Sequence, residues 1–209
     1  ICQTYKDVFH YDVDYDTAVA AQALHDIEKP YVFQWQENGA SLKEYNIAGQ
    51  GGHHVLSIAE SIYRGMPANE IVAQACAHGA PTGPKDEADV VGWIKAAAII
   101  TGKDPVRLGY LTKDGQHLPT PHKQEGYIVH LGDHDWVLSV PASKKTIALL
   151  KEVAKESYGF TDEEANGARF NQFRNYIGSQ VSFMYINHLS SLADAKKQII
   201  HLANQIIIK

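Results

Sequence analysis

Cysteine is scarce in this chain. Cys2 and Cys76 are the only two in 209 residues, and they lie far apart with no CxxC spacing. That excludes a disulfide framework and a thiolate zinc site, and it fits a reducing, cytoplasmic setting. Long apolar runs are missing too: nothing approaches the roughly 18 residues that span a bilayer, and the start lacks the basic-then-apolar build of a signal peptide. Runs of lysine or arginine are also absent. The net charge is −5, so the sequence carries no strong signal for nucleic acid and none for an anionic membrane surface. What remains open is a small substrate, a nucleotide among them.

What is present is ordinary globular material. With 44% hydrophobic and 21% charged residues, the chain can bury one large core, and a single domain over 1–209 is the simplest expectation. Asp14 or Asp16 can cap a helix that Ala18 to Leu24 continues and Pro30 closes. Tyr31 to Gly52 mixes aromatic residues with Gly39, Gly49, Gly51 and Gly52 and reads as an irregular excursion, a candidate lid. Tyr31, Phe33 and Trp35 alternate along it, so a short buried strand is the competing reading.

From His54, the residues Val55, Ile58, Ala59 and Ile62 recur at helical spacing as far as Gly65. Pro67 restarts a helix in which Ile71, Ala75 and His78 share one stripe. Ala88 to Thr101 forms another helix, and Arg107 to Pro121 is turn-rich and allows a small β-hairpin. Gln124 to Leu138 is helical up to Pro141, Ser143 to Ser157 is amphipathic, and two more helices fill Asp162 to Lys209. The fold class expected is all-α.

Polar residues interrupt these stripes at particular places. "ALHDIEKP" puts His25 beside Asp26, "GGHHVLSIAESI" opens a helix with His53 and His54, "IVAQACAHG" ends one with His78, and "IVHLGD" carries Asp133. Burying an imidazole or a carboxylate costs several kcal/mol unless it is paired or bound to a cation. Several such groups on inward faces therefore call for a common reason. A divalent metal supplies it, since imidazole with carboxylate suits Zn, Fe, Mn, Co or Ni. At about 100° per residue, His54 lines up with Ile58 and Ile62 while His53 points away, which favours His54 as the ligand; a shifted helix start would exchange them. Asp133 is preferred to Asp135 because Tyr127, Ile128, Val129 and Leu131 lead to it. His117, His122, His130, His134, His188 and His201 are scattered, and each reads best as a surface or hydrogen-bonded histidine; His130 and His134 flank Asp133.

The run "ALHDIEKP", followed by a histidine opening a helix, a histidine closing the next and an aspartate in "IVHLGD", resembles the HD-domain superfamily of metal-dependent phosphohydrolases. The resemblance covers roughly Asp14 to Trp136. It implies an HD-like helical bundle with a metal-site core over about 14–140 and further helices over 142–209. It also implies metal ligation by His25, Asp26, His54, His78 and Asp133, with Asp26 placed to bridge if two ions bind. Asp26, Lys29 and His53 would serve catalysis, with Lys29 contacting a substrate phosphate and His53 facing substrate or supporting the ligands. Hydrolysis of a nucleotide or other small phosphoester follows, in a monomer or a homo-oligomer.

Two departures stand out. The superfamily's first metal histidine lies on a helix well ahead of the HD pair, whereas His10 is the only upstream histidine here; the chain opens with isoleucine, which points to residues lost before it. Glu28 stands where the signature has glycine. Two alternatives follow: a diiron oxygenase of the same fold, or a non-catalytic sensor lacking a complete metal site. "HYDVDYDTAVAAQAL" is also similar to the first motif of DHH-type phosphoesterases, but that family needs a parallel sheet and a later Asp-His-His, and the sequence offers neither.

Overall fold

The structure, a computed structural model, describes residues 1–46, 52–120, 123–190 and 195–205. Gly49 and Gly51 of the candidate lid, and His122, lie outside the described residues. The chain is mostly helical with one small two-stranded antiparallel sheet, and its backbone groups into two units. The first comprises Ile1–Gln34 and Glu44–His134, the second Trp35–Lys43 and Asp135–Lys209. Among the described residues no helix is long and apolar enough to cross a membrane.

The first unit opens with a helix that the sequence pattern did not suggest, α1 (Cys2–Phe9), closed by His10 in the left-handed region at φ 54°. Next comes α2 (Tyr15–Leu24). Asp14 caps it by accepting from the Thr17 amide at 3.0 Å and the Thr17 hydroxyl at 2.6 Å, which satisfies an amide of the first turn. Pro30 does not close this helix. The helix stops at Leu24, residues 25–28 turn, and Pro30 sits in the first turn of a short α3 (Lys29–Val32), where a missing N–H is harmless.

The chain then forms β1 (Phe33–Trp35) and β2 (Leu42–Glu44), paired as a ribbon. Trp35 is 54% exposed, so the buried-strand reading fails for it. The ribbon lies here and not in 107–121, which among its described residues is turns held by contacts such as the Thr112 amide on the His117 carbonyl at 2.9 Å. Helices α4 (Gly52–Tyr63), α5 (Ala68–Ala75) and α6 (Pro84–Thr101) build the main core around Ile58, Ile62, Ile71, Val90 and Ile94. His78 follows α5 in a turn instead of ending the helix. Helix α6 ends where Gly102 takes φ 64°, a left-handed position that glycine accepts without penalty. Last is α7 (Lys123–Asp133).

A second, smaller cluster of Ala21, Ala73, Ala77 and Val129 joins α2, the α5 region and α7. Such small side chains let helix axes approach closely. The ends of these segments carry His25, His78 and Asp133.

In the second unit Asp135 caps α8 (Trp136–Tyr158) by accepting from the Leu138 amide at 3.4 Å. Pro141 lies inside this helix and does not stop one. Thr161 and Glu164 form a reciprocal capping pair, at 2.8 and 3.2 Å, ahead of a 3₁₀ turn over Glu164–Asn166. Three helices follow where two were expected: α9 (Ala168–Gln180), α10 (Phe183–Ser190) and α11 (Ala195–Ala203). They bury Leu150, Val153, Phe173, Ile177, Ile186 and Ile199.

The α5–α7 approach gives the first testable expectation. A Cβ on Gly126 would lie 2.6 Å from Cys76 Sγ and 2.9 Å from its Cβ. Gly126→Ala should therefore destabilise by about 1–2 kcal/mol in urea titration, because overpacking outweighs the gain in helix propensity. A stabilised variant would show that the helices separate freely.

Candidate metal centre

Five donor-bearing segments of the first unit converge. His25 is the C-cap of α2 and Asp26 the next turn residue, so the pair is not splayed as it would be within a helix; His25 Nε2 lies 3.2 Å from Asp26 Oδ2. Asp133, the last residue of α7, places Oδ1 3.1 Å from His25 Nε2. The turn after α5 brings His78 Nε2 to 3.4 Å from Asp26 Oδ1, and α4 brings His53 Nε2 to 3.6 Å from the same oxygen and 3.2 Å from His78 Nε2. Lys29 Nζ lies 2.5 Å from Asp26 Oδ2. Asp26 is thus central: one carboxylate oxygen faces His25 and Lys29, the other His53 and His78.

Each of three imidazoles has its Nδ1 already engaged. His25 Nδ1–H donates to the Gln22 carbonyl at 2.6 Å, His78 Nδ1–H reaches Asp133 Oδ2 at 3.2 Å, and His53 Nδ1–H donates to Glu44 Oε1. Hydrogen bonding of this kind fixes each ring and leaves Nε2 to face a proton or a cation. All three Nε2 atoms point at Asp26.

The electrostatics follow from this arrangement. Burial opposes a charged His25, but Asp133 and Asp26 override it and lift its pKa from 6.5 to about 10. His78 is raised against its own burial by the same two carboxylates. Asp26 and Asp133 are also opposed by burial, and their histidine neighbours, with Lys29 for Asp26, hold them well below the usual carboxylate range. His54 behaves differently: burial, then repulsion from His78 and His53, pushes it down to about 3. His53 is lowered as well, by burial. Both therefore stand neutral at pH 7.

Two atoms test whether a metal fits. Asp26 Oδ1 and His54 Nδ1 are buried without a hydrogen-bond partner, which is costly unless something satisfies them. A cation beside either would satisfy it. The donor atoms of His53, His54 and His78, and those of His25, His78 and Asp133, lie within 4.8 Å of one another in each set. These buried groups can hold a metal ion.

Sequence reasoning placed His53 on the outer side of its helix. In the structure His53 is 6% exposed and turned into the cluster, while His54 stacks on His78 with ring centroids 3.8 Å apart. The reason is that α4 buries a second stripe, with Ser57 and Ser61 following His53 at helical spacing beside Val55, Ile58 and Ile62. Apolar periodicity does not mark a stripe of small polar residues. Glu28 takes no part in either donor set; its amide donates to Ser57 Oγ at 3.3 Å. His10 is exposed. His130 supports the centre by donating from Nδ1 to the Ala77 carbonyl at 2.9 Å, beside His78, and His134 lies 3.5 Å from Asp133 Oδ2. Glu44 escaped notice because no local spacing links it to His53, nine positions away. No family model, curated protein or solved structure matches this chain.

The raised His25 gives a pH signature in metal-free protein. Its stabilising contribution is complete below the unfolded value of 6.5 and is lost as pH rises through about 10. With chelator present, His25→Gln should fall short of the parent most below pH 6.5, and the gap in urea stability should close towards pH 10. A gap constant from pH 6 to 10 would refute the ion-pair assignment.

Proposed function

We propose that this chain is a metal-dependent phosphohydrolase of the HD-domain type, acting on a small phosphoester such as a nucleotide. The observation that carries the reading is the set of three imidazoles, each anchored through Nδ1 and presenting Nε2 to one half-buried carboxylate whose buried Oδ1 lacks a hydrogen-bond partner. Structural ion-pair networks seldom leave such an oxygen bare. The order of the donors along the chain, His-Asp, His, His, Asp, resembles the family motif without that motif's first histidine.

His25, Asp26 and Asp133 would hold one divalent ion, and Asp26, His53 and His78 a second, with His54 offering a further nitrogen. Mn, Fe, Zn, Co and Ni all suit this donor set. When bound, such ions supply Lewis-acid stabilisation of phosphate oxygens and lower the pKa of water towards neutrality.

The chain's own groups do the rest. Asp26 presents one oxygen to His25 and Lys29 and the other to His53 and His78, so it would stand between the two positions. Lys29, with 41% of its side chain exposed and its ammonium on Asp26, is placed to take a phosphate oxygen at the rim. Asp133 holds His25 and His78 together and keeps their rings from turning.

The test is a screen of nucleotides and simple phosphoesters with each metal in turn. Phosphate or nucleoside release should depend on metal and fall about 100-fold or more in Asp26→Ala, the loss expected when several kcal/mol of charge stabilisation is removed. His25→Ala and Asp133→Ala should each lower bound metal sharply by elemental analysis. Full occupancy in both variants would defeat the ligand set. A tightly held iron pair with oxygen consumption and no phosphate release would replace the hydrolase by an oxygenase.

A further inference from the structure

The ribbon between the HD turn and α4 carries a residue whose position is hard to explain by folding alone. Glu44 ends β2, yet its Oε1 accepts both from His53 Nδ1–H and from the His53 amide at 3.3 Å. His53 is the first full side chain of α4, and its opposite ring nitrogen is the one that faces Asp26 and His78. The carboxylate touches the ring only at the far side from the donor cluster.

Access for Glu44 depends on Gly52. A Cβ at that position would overlap the Tyr45 carbonyl oxygen, and the next nearest atom outside Tyr45 is Val32 Cγ1 at 3.5 Å. Tyr45 in turn donates its amide to the Val32 carbonyl at 3.1 Å. The strand leaving β2 is thereby pressed against the first turn of α4, which leaves Glu44 within reach of the next residue. Two independent features, an anchoring carboxylate and a side-chain-free first turn, serve one contact.

We propose that Glu44 is a positioning residue that locks His53 in the Nδ1–H tautomer and aims Nε2 at the Asp26–His78 side, and that Gly52 is required to admit it. This rests on the metal-centre reading for its purpose and reaches beyond it by assigning a role to the ribbon. Carboxylate support of a ligating histidine raises metal affinity by orienting the ring, and its removal typically costs about 10- to 100-fold. The contact should act on the ion held by His53 and leave the one held by His25 and Asp133 alone.

Two readouts decide it. Long-range ¹⁵N NMR of the histidine rings in metal-free protein at neutral pH should show His53 as the Nδ1–H tautomer, and a mixture in Glu44→Leu; an Nε2–H tautomer in the parent overturns the proposal. Calorimetric titration with Zn²⁺ alone should then show one of two binding steps weakened about 10- to 100-fold in Glu44→Leu and in Gly52→Ala. Glu44→Gln, whose amide oxygen still accepts from Nδ1–H, should recover most of that loss. Equal affinities across parent, Glu44→Leu and Gly52→Ala overturn it. A parent that binds no Zn²⁺ would overturn the hydrolase reading, and the tautomer measurement would still decide the role of Glu44.

Discussion

The close approach of α2, the α5 region and α7 is the constraint on which the centre depends. Ala21, Ala73, Ala77 and Val129 are buried to 1% exposure or less where these segments meet, and Gly126 lies against Cys76. Larger side chains there would push the segments apart. Because His25, His78 and Asp133 sit at or just beyond the ends of those segments, an ångström of separation in the small-residue layer becomes an ångström between donors. Packing density, more than any single hydrogen bond, sets the geometry of the cluster.

That geometry creates an electrostatic problem which the chain solves only in part. Two carboxylates are drawn into a half-buried site with several imidazoles, and the carboxylates are kept ionised by raising the proton affinity of His25 and His78. The remaining histidines, His53 and His54, are pushed the other way and kept neutral. Protons in this cluster thus stand where cations fit. Metal uptake would exchange them, so affinity should depend on pH in the direction that favours binding as His25 and His78 lose protons.

The legible part of the centre was local. His25 with Asp26, His78 and Asp133 each announce themselves as a polar residue at the edge of an apolar stripe, and the structure brings all four together. The helical class and most helix positions followed from the same periodicity. What periodicity cannot supply is a second buried face marked by small polar residues: His54 faces the cluster as its apolar neighbours indicate, whereas His53, read as pointing away, is buried there too. Prolines mislead as well: Pro30 and Pro141 both read as stops, but Pro30 stands in the first turn of α3, where its missing N–H has no helical partner, and Pro141 lies inside α8 without ending it. The ribbon at 33–44 has three-residue strands, too short for an alternation pattern to register.

The three anchors differ in how far along the chain they reach. His25 is held by a carbonyl three residues back on its own helix, so its ring is oriented as soon as α2 forms. His53 needs a carboxylate nine residues back, at the end of β2, and His78 needs Asp133 from another helix. Local anchors cost little loop-closure entropy, whereas the Asp133 contact exists only once α5 and α7 have docked. The centre is therefore ordered in layers: a preset imidazole at the α2 end, a second fixed by the ribbon, and a third that reports completed packing of the first unit.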